Sequence, residues 1–188
     1  MKVGMIQSSY IPWRGYFDFI NSVDLFVFYD DVQYTKKDWR NRNRLRQGQD
    51  WKWLTVPVLH AGSLDCLIDE VRIDKTQNWQ KKHTGFIKSA YAKAPYVKDY
   101  LPEFEDILNR DIDTLSGMNR QLCAWSMDKL GIKTQLADVR DFRPRSEVRG
   151  DQDEKTNLII ETLKNTGATD YLVGPASKDY IDETLFKD

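Results

Sequence analysis

The sequence predicts an α/β fold: a layered sandwich with a mainly parallel sheet and an inserted antiparallel β-hairpin. The apolar runs Lys2 to Ile6 and Asp24 to Tyr29 have the length of buried strands, and a helical stretch beginning at Tyr16 separates them. Parallel neighbours need such a crossover, so these segments form a βαβ unit. The turn residues Gln47 to Asp50 between two strand-like stretches predict the hairpin.

The loop after the first strand is too apolar and aromatic for an ordinary turn. Pro12 biases Ile11 away from the helical region, so we expect extended chain as far as Trp13. Ligands of open α/β sheets bind beyond the carboxyl ends of the strands, which gives the sandwich a nucleotide-binding-like rim. A loop packed into the core by its aromatic side chains is the open alternative. The residues expected to bind substrate on this rim are Gln7, Tyr10, Trp13, Gly15, Tyr16, Asp30, Gln33 and Tyr34, and Asp31 is a candidate proton acceptor.

Arginine occupies every second position from 40 to 46, so the four guanidinium groups fall on one face of an extended strand. Arginine binds phosphate groups bidentately, which favours a phosphate or diphosphate site. A solvated strand face and a nucleic-acid patch are the alternatives, and the net charge of −1 weakens the second. Arg40, Arg42 and Arg44 are expected to hold the diphosphate, and Asn41 and Asn43 join the residues expected to bind substrate.

The rest of the chain predicts further strands and helices in alternation. Gly174 lies between a short strand and a helix, where an anion can meet a helix N-terminus, and it joins the expected binding residues. A charged segment without periodicity runs from Arg140 to Asp153 and is either a lid or a solvated loop. The strands are expected at Leu67–Ile73, Lys133–Ala137 and Asp170–Val173, and the helices at Gln77–Ala92, Glu103–Leu115, Gly117–Leu130, Thr156–Asn165 and from Lys178.

His83 lies on the apolar stripe of the clearest helix. Its ordinary pKa suits general acid or base catalysis near neutral pH, so it is a candidate catalytic residue. A core histidine with satisfied hydrogen bonds is the alternative. His60 lies in a loop without an obvious partner.

Composition narrows the classes of protein. A chain of 188 residues with 40% hydrophobic content forms most simply one domain, over residues 1–188. No apolar run reaches the ~20 residues of a membrane span, and no secretory leader is recognisable at the start. Cys66 and Cys123 lack metal-ligand spacing, which favours a reduced, cytoplasmic setting and predicts no metal site. Phosphate-binding, dinucleotide, serine-hydrolase and zinc-protease motifs are absent from the sequence.

With these residues in view, the chain resembles the WbqC-like protein family. The matching segments span most of the sequence, although Gln7 is followed by Ser8 where the family often has Gln-Pro. The matches are Tyr10–Phe17, Asp24–Tyr34, Trp39–Arg44, Trp53–Val58, Ala94–Tyr96 and several positions from Gly167 to Asp182.

The resemblance implies a bacterial protein of surface-polysaccharide biosynthesis, of O-antigen or capsule, that transfers glycine or an acyl group to an amino sugar. The expected partners are therefore small molecules, a nucleotide-linked sugar and an acyl or aminoacyl donor; no nucleic acid is expected, and the cofactor stays unknown. An ATP-using ligase or nucleotidyltransferase and a non-catalytic sugar-nucleotide binding subunit are the alternatives. Family members usually continue past the position of Asp188, so we expect part of the core or site to be missing or supplied by a partner chain, as in a homo-oligomer.

Overall fold

The computed structural model describes residues 1–59, 66–144, 152–174 and 186, and it confirms the α/β class. The chain divides into two compact units, each described below by itself. Unit 1 comprises residues 1–7, 14–31 and 132–188, and unit 2 comprises residues 8–13 and 32–131. The predicted single domain over residues 1–188 stays a prediction.

Unit 1 contains the predicted parallel sheet. Among the described residues it has four strands, all parallel, in the order β5 (Gln135–Asp138), β2 (Leu25–Phe28), β1 (Lys2–Ile6) and β6 (Asp170–Leu172). Val3 pairs with Leu25 across the two central strands. The elements of unit 1 are β1 (Lys2–Ile6), α1 (Arg14–Asn21), β2 (Leu25–Phe28), β5 (Gln135–Asp138), α5 (Gln152–Thr166) and β6 (Asp170–Leu172).

Alternating side chains of β1 and β2 build the two apolar faces of this sheet. Val3 and Val27 pack in one buried cluster with Ile159 of α5. On the other face, a Cβ atom at Gly4 would lie 2.6 Å from the Phe19 ring, so α1 packs directly on the strand backbone. The layers helix, sheet and helix follow from this alternation.

Unit 2 contains the inserted hairpin and three amphipathic helices around one core. Thr114 caps the last helix by accepting a hydrogen bond from the Gly117 N–H, and Gly131 ends it with φ of 70°. The elements are β3 (Arg42–Gln47), β4 (Asp50–Thr55), α2 (Trp79–Ala90), α3 (Val97–Asn109) and α4 (Leu115–Leu130).

One strand predicted in unit 2 is not formed, and one predicted helix has different bounds. The stretch from Leu67 to Ile73 forms a 3₁₀ turn at Ile68–Glu70, with single bridges to Gln33 and Val58 in place of a strand ladder. Helix α3 begins at Val97, well before the expected start at Glu103, and Pro102 lies inside it. The helix expected from Lys178 lies outside the described residues, as does His60.

Helix length and hydropathy argue against a membrane span in the part of the chain that the structure describes, where every helix is too short or too polar to cross a bilayer.

Candidate functional site

The loop from Ser8 to Trp13 belongs to unit 2 and bends sharply. Ile11 has φ of +46°, so the expectation of extended chain as far as Trp13 is wrong. A β-branched residue in this left-handed region is strained, by roughly 1–3 kcal/mol. The Asn43 side-chain amide holds the bend by donating to the Ile11 carbonyl at 2.6 Å and to the Tyr10 carbonyl at 3.3 Å. Asn43 therefore shapes the loop.

Tyr10 and His83 form a buried pair in unit 2. The Tyr10 hydroxyl lies 2.7 Å from His83 Nδ1, and Trp79 packs edge-on against both rings. Burial lowers the pKa of His83 to about 4, against a smaller opposing effect of a hydrogen bond to the Thr55 backbone. Burial also raises the pKa of Tyr10. The imidazole therefore has two hydrogen-bond partners, the Tyr10 hydroxyl at Nδ1 and the Thr55 backbone.

These contacts favour a core histidine. His83 is 4% exposed, and its ring is hydrogen-bonded to the Tyr10 hydroxyl and the Thr55 backbone. A general base needs a free acceptor within reach of the substrate proton. The catalytic role of His83 stays a prediction that these contacts do not support.

Arg40 is held inside unit 2. Its Nη1 donates to the Ser8 carbonyl at 3.3 Å and to Ser9 Oγ at 3.2 Å. The Asn119 side chain donates to the Arg40 carbonyl at 2.9 Å, which fixes the backbone as well. Asn41 is buried too and donates to the Val56 carbonyl at 2.9 Å.

Arg40 also forms an ion pair with Asp38 at 3.5 Å. Burial raises the pKa of the Asp38 carboxyl, but hydrogen bonds from Thr35 and the Trp39 N–H, together with Arg40, outweigh it and leave that pKa lowered. Arg40 therefore shares its charge with a carboxylate, unlike the next two arginines along the chain.

Arg42 and Arg44 lie against indole rings on one face of the hairpin. The register pairs Arg44 with Trp53, which places both side chains on the same side. The Arg42 guanidinium lies 4.2 Å from the Trp53 ring centroid, and that of Arg44 lies 5.7 Å from the rings of Trp51 and Trp53. We call this surface the Arg–Trp face; it comprises Arg42, Arg44, Trp39, Trp51 and Trp53.

The Arg–Trp face is exposed, and its two guanidinium groups have no carboxylate partner among the described residues. Trp51 is 60% exposed and Trp53 is 42% exposed; the Trp39 ring lies tilted by 37° beside Trp53, with 5.5 Å between the ring centroids. Arg42 donates to the Lys37 carbonyl, and its buried Nε has no hydrogen-bond partner. Among the described residues, neither guanidinium of this face lies within ion-pair distance of a carboxylate. Planar rings beside guanidinium groups that lack a carboxylate partner suit a ligand with a flat ring system and phosphates.

In unit 1, the acidic end of β2 is buried. Asp30 is fully buried, and Asp31 forms an ion pair with Arg143 at 2.8 Å, each side chain being 1% exposed. Arg143 Nε also donates to Thr162 Oγ1 at 3.0 Å, and the guanidinium lies 5.7 Å from the Tyr29 ring centroid. The lid or solvated-loop interpretation is therefore wrong at Arg143, which lies in the interior.

The remaining predicted residues are divided between the two units. The Tyr16 hydroxyl donates to the Gln7 carbonyl at 3.1 Å, and Gly15 lies in the first turn of α1. Gly174 follows β6 in unit 1. In unit 2, Gln33 is exposed, Trp13 is 59% exposed, and Tyr34 is buried; burial and the charge of Asp38 raise the pKa of Tyr34. The predicted common rim for both groups of residues stays a prediction.

Sequence reasoning missed the indoles of the Arg–Trp face, Asn119 and Arg143. The indoles had a usable signal, because Trp51 and Trp53 alternate in the strand that returns opposite the arginines. Arg143 had none, because its segment lacks periodicity. No cluster of three potential metal ligands occurs among the described residues.

Comparisons with known proteins extend these observations. The model of the WbqC-like protein family matches residues 7–188. The uncharacterized protein Rv1507c of Mycobacterium tuberculosis is 40% identical over 186 residues, which cover 98% of this chain and 77% of that protein. No solved structure matches the chain.

Proposed function

The chain belongs to the WbqC-like protein family, and on that premise we propose that it is a transferase acting on a nucleotide-linked amino sugar in bacterial surface-polysaccharide biosynthesis. The group transferred is an acyl or aminoacyl group, and the acceptor is the sugar's amine. One observation carries the proposal: Arg42 and Arg44 of the Arg–Trp face, which have no carboxylate partner among the described residues, lie beside exposed indoles.

Each part of a nucleotide sugar has a matching group on this face. Guanidinium groups bind the diphosphate through charge-assisted hydrogen bonds. Exposed indoles stack on a base, an interaction worth about 1–3 kcal/mol for each base, or pack against a sugar ring. Arg40 is paired with Asp38, and the amides of Asn41 and Asn43 donate to backbone carbonyls. The phosphate-binding role therefore falls on Arg42 and Arg44, which have no carboxylate partner among the described residues.

The chemistry of the transfer is a substitution at a carbonyl carbon. The amine nitrogen attacks the carbonyl of a thioester or activated ester, and the new N–C bond forms. The bond from that carbon to the carrier's sulfur or oxygen breaks. The surplus amine proton passes through water to the departing carrier's sulfur or oxygen. Neither predicted proton acceptor is assigned to this step, because Asp31 is ion-paired with Arg143 and 1% exposed, and His83 is 4% exposed and bonded to Tyr10.

Replacing Arg44 by glutamine should weaken the binding of UDP, or of whichever nucleoside diphosphate binds best, at least about tenfold, because one charge-assisted contact is lost. Arg46→Gln is the matched control: Arg46 lies on the same strand but bonds to the Gly48 carbonyl in the turn. We expect the control to change the affinity less than about twofold. Isothermal titration calorimetry measures both affinities; equal losses in the two variants, or no nucleotide binding by the wild type, would refute the proposed face.

Release of free thiol from acyl-CoA donors in the presence of UDP-linked amino sugars measures the proposed transfer. Arg44→Gln should slow this release at least about tenfold at sugar-nucleotide concentrations below KM, because it weakens substrate binding, whereas Arg46→Gln should change it less than about twofold. No thiol release by the wild type with any donor would refute acyl transfer.

Two rival functions keep the same nucleotide site. An ATP-using ligase or nucleotidyltransferase would release pyrophosphate from ATP, whereas simple acyl transfer would not. A non-catalytic subunit would bind nucleotide sugars and turn over none of the donors. Thermal-shift screening identifies the ligand first, since a ligand at 100 times its Kd adds about 2.7 kcal/mol of stability.

A further inference from the structure

An apolar groove crosses unit 2, and the proposed transfer reaction does not use it. Side chains of α2, α3, α4 and the turn between α2 and α3 line it together with Ile11, Pro12 and Leu45. Its volume is about 460 Å³, inside the range of about 300–1,000 Å³ typical of small-molecule sites. None of the residues predicted to bind substrate lines this groove.

One wall of the groove is aromatic and held in place. The Trp125 ring lies 6.4 Å from Tyr100 and 6.2 Å from Phe104. Trp125 Nε1 donates to the Glu103 carboxylate at 2.8 Å, and Lys129 pairs with the same carboxylate. The indole is therefore oriented before any ligand arrives, which lowers the entropic cost of binding.

The strained residue of the loop also lines the groove. Ile11, with φ of +46°, and Pro12 both line the groove, and Asn43 holds that backbone bend. Strained backbone persists where the surrounding structure enforces it, and such positions cluster at ligand sites.

A lysine of the hairpin neighbours one of the residues that line the groove. Lys52 lies directly opposite the lining residue Leu45 in the hairpin register, so both side chains project from the same face. The Lys52 ammonium is 5.3 Å from the Phe86 ring centroid. No carboxylate among the described residues lies within ion-pair distance of it.

We infer that this groove binds a single-chain anionic amphiphile, with its hydrocarbon chain along the apolar walls and its anionic head group at Lys52. Polar groups of a sugar or an extended peptide would lose their hydrogen bonds to water against such walls, which penalises those occupants. The unpaired ammonium selects an anionic head group over a neutral or cationic one. The occupancy of this groove is independent of the proposed transfer reaction.

The test measures the binding of decanoate, below its micellar concentration, by isothermal titration calorimetry. Ala94 lines the groove, and the exposed Ala92 in the same turn does not, so Ala94→Phe and Ala92→Phe form a matched pair. We expect one saturable site in the wild type, at least about a tenfold loss of affinity in Ala94→Phe and less than a twofold change in Ala92→Phe. If Ala94→Phe does not fold, Ser126→Phe fills the groove from α4, with the exposed Ala124→Phe as its control.

The head-group claim has its own comparison. Lys52→Gln should weaken the binding of decanoate at least about threefold and leave that of uncharged decanol unchanged. No saturable decanoate binding, or equal losses within a matched pair of variants, would overturn the inference. A wild-type dimer that Ala94→Phe dissociates in sedimentation experiments would also overturn it and assign the groove to a second copy of the chain.

Discussion

Replacing Arg143 by methionine is expected to lower the free energy of unfolding by about 3–5 kcal/mol. The variant leaves the Asp31 carboxylate in the interior of unit 1 without its countercharge, because both side chains of the pair are 1% exposed. It also removes the donor to Thr162 Oγ1. Urea unfolding followed by circular dichroism measures the change.

Two further variants identify the origin of this loss. Lys75→Met removes a cation from an exposed network with Asp111 and Asp113 and should cost much less stability, because exposed ion pairs contribute little. Adding Asp31→Leu to Arg143→Met removes the unpaired charge and should restore more than half of the stability. If Arg143→Met costs no more than Lys75→Met, the ion pair does not stabilise this end of the sheet.

The sequence predicted the elements whose signal is local. Apolar runs and a crossover helix predicted the parallel pairing of β1 and β2, and the turn at Gln47–Asp50 predicted the hairpin, which the structure confirms. The two errors arose where local rules compete. Alternation between Leu67 and Ile73 predicted a strand, but partners are available only as single bridges. The apolar stripe from Phe104 to Leu115 predicted a helix over Glu103–Leu115, whereas α3 spans Val97–Asn109.

The candidate site shows the same division. The arginines at every second position predicted that these side chains share one face of the hairpin. The strand register, which the turn sets, places Trp51 and Trp53 on that same face. Partners far apart in sequence could not be predicted. The contact between Tyr10 and His83 spans 73 residues, and the ion pair between Asp31 and Arg143 joins β2 to the end of an aperiodic segment. Periodicity indicates which way a side chain faces, but it contains no information about the distant residue that it meets.

The buried imidazole of His83 makes a second large prediction, a stability that falls in acid. Its pKa is about 4 in the folded chain and about 6.5 in an unfolded one. Above pH 6.5 the ring is neutral in both states and contributes no pH dependence. Between these two values only the unfolded chain binds the proton, so stability falls as the pH decreases, by on the order of 3 kcal/mol in total, and levels off below the folded pKa.

His83→Gln should remove this component, because glutamine does not titrate. The quantity to measure is the difference in unfolding free energy between wild type and variant at a series of pH values from 7 to 4, which cancels the carboxylates common to both. Tyr10→Phe is the control: it removes the hydroxyl at Nδ1 and should cost about 1–3 kcal/mol at every pH. It should keep the pH dependence, since burial is the main cause of the shift in the pKa of His83.

The same variants separate the two roles considered for this histidine. If His83 is a core residue, His83→Gln should retain turnover at neutral pH in proportion to its folded fraction, and the pH profile of the rate should be unchanged. A general base predicts that the fully folded variant loses turnover and the limb of the profile that reports the base. Because His83 is 4% exposed and its ring is bonded to Tyr10 and Thr55, we expect the first outcome. A wild-type stability with the same pH dependence as His83→Gln would contradict the buried neutral imidazole itself.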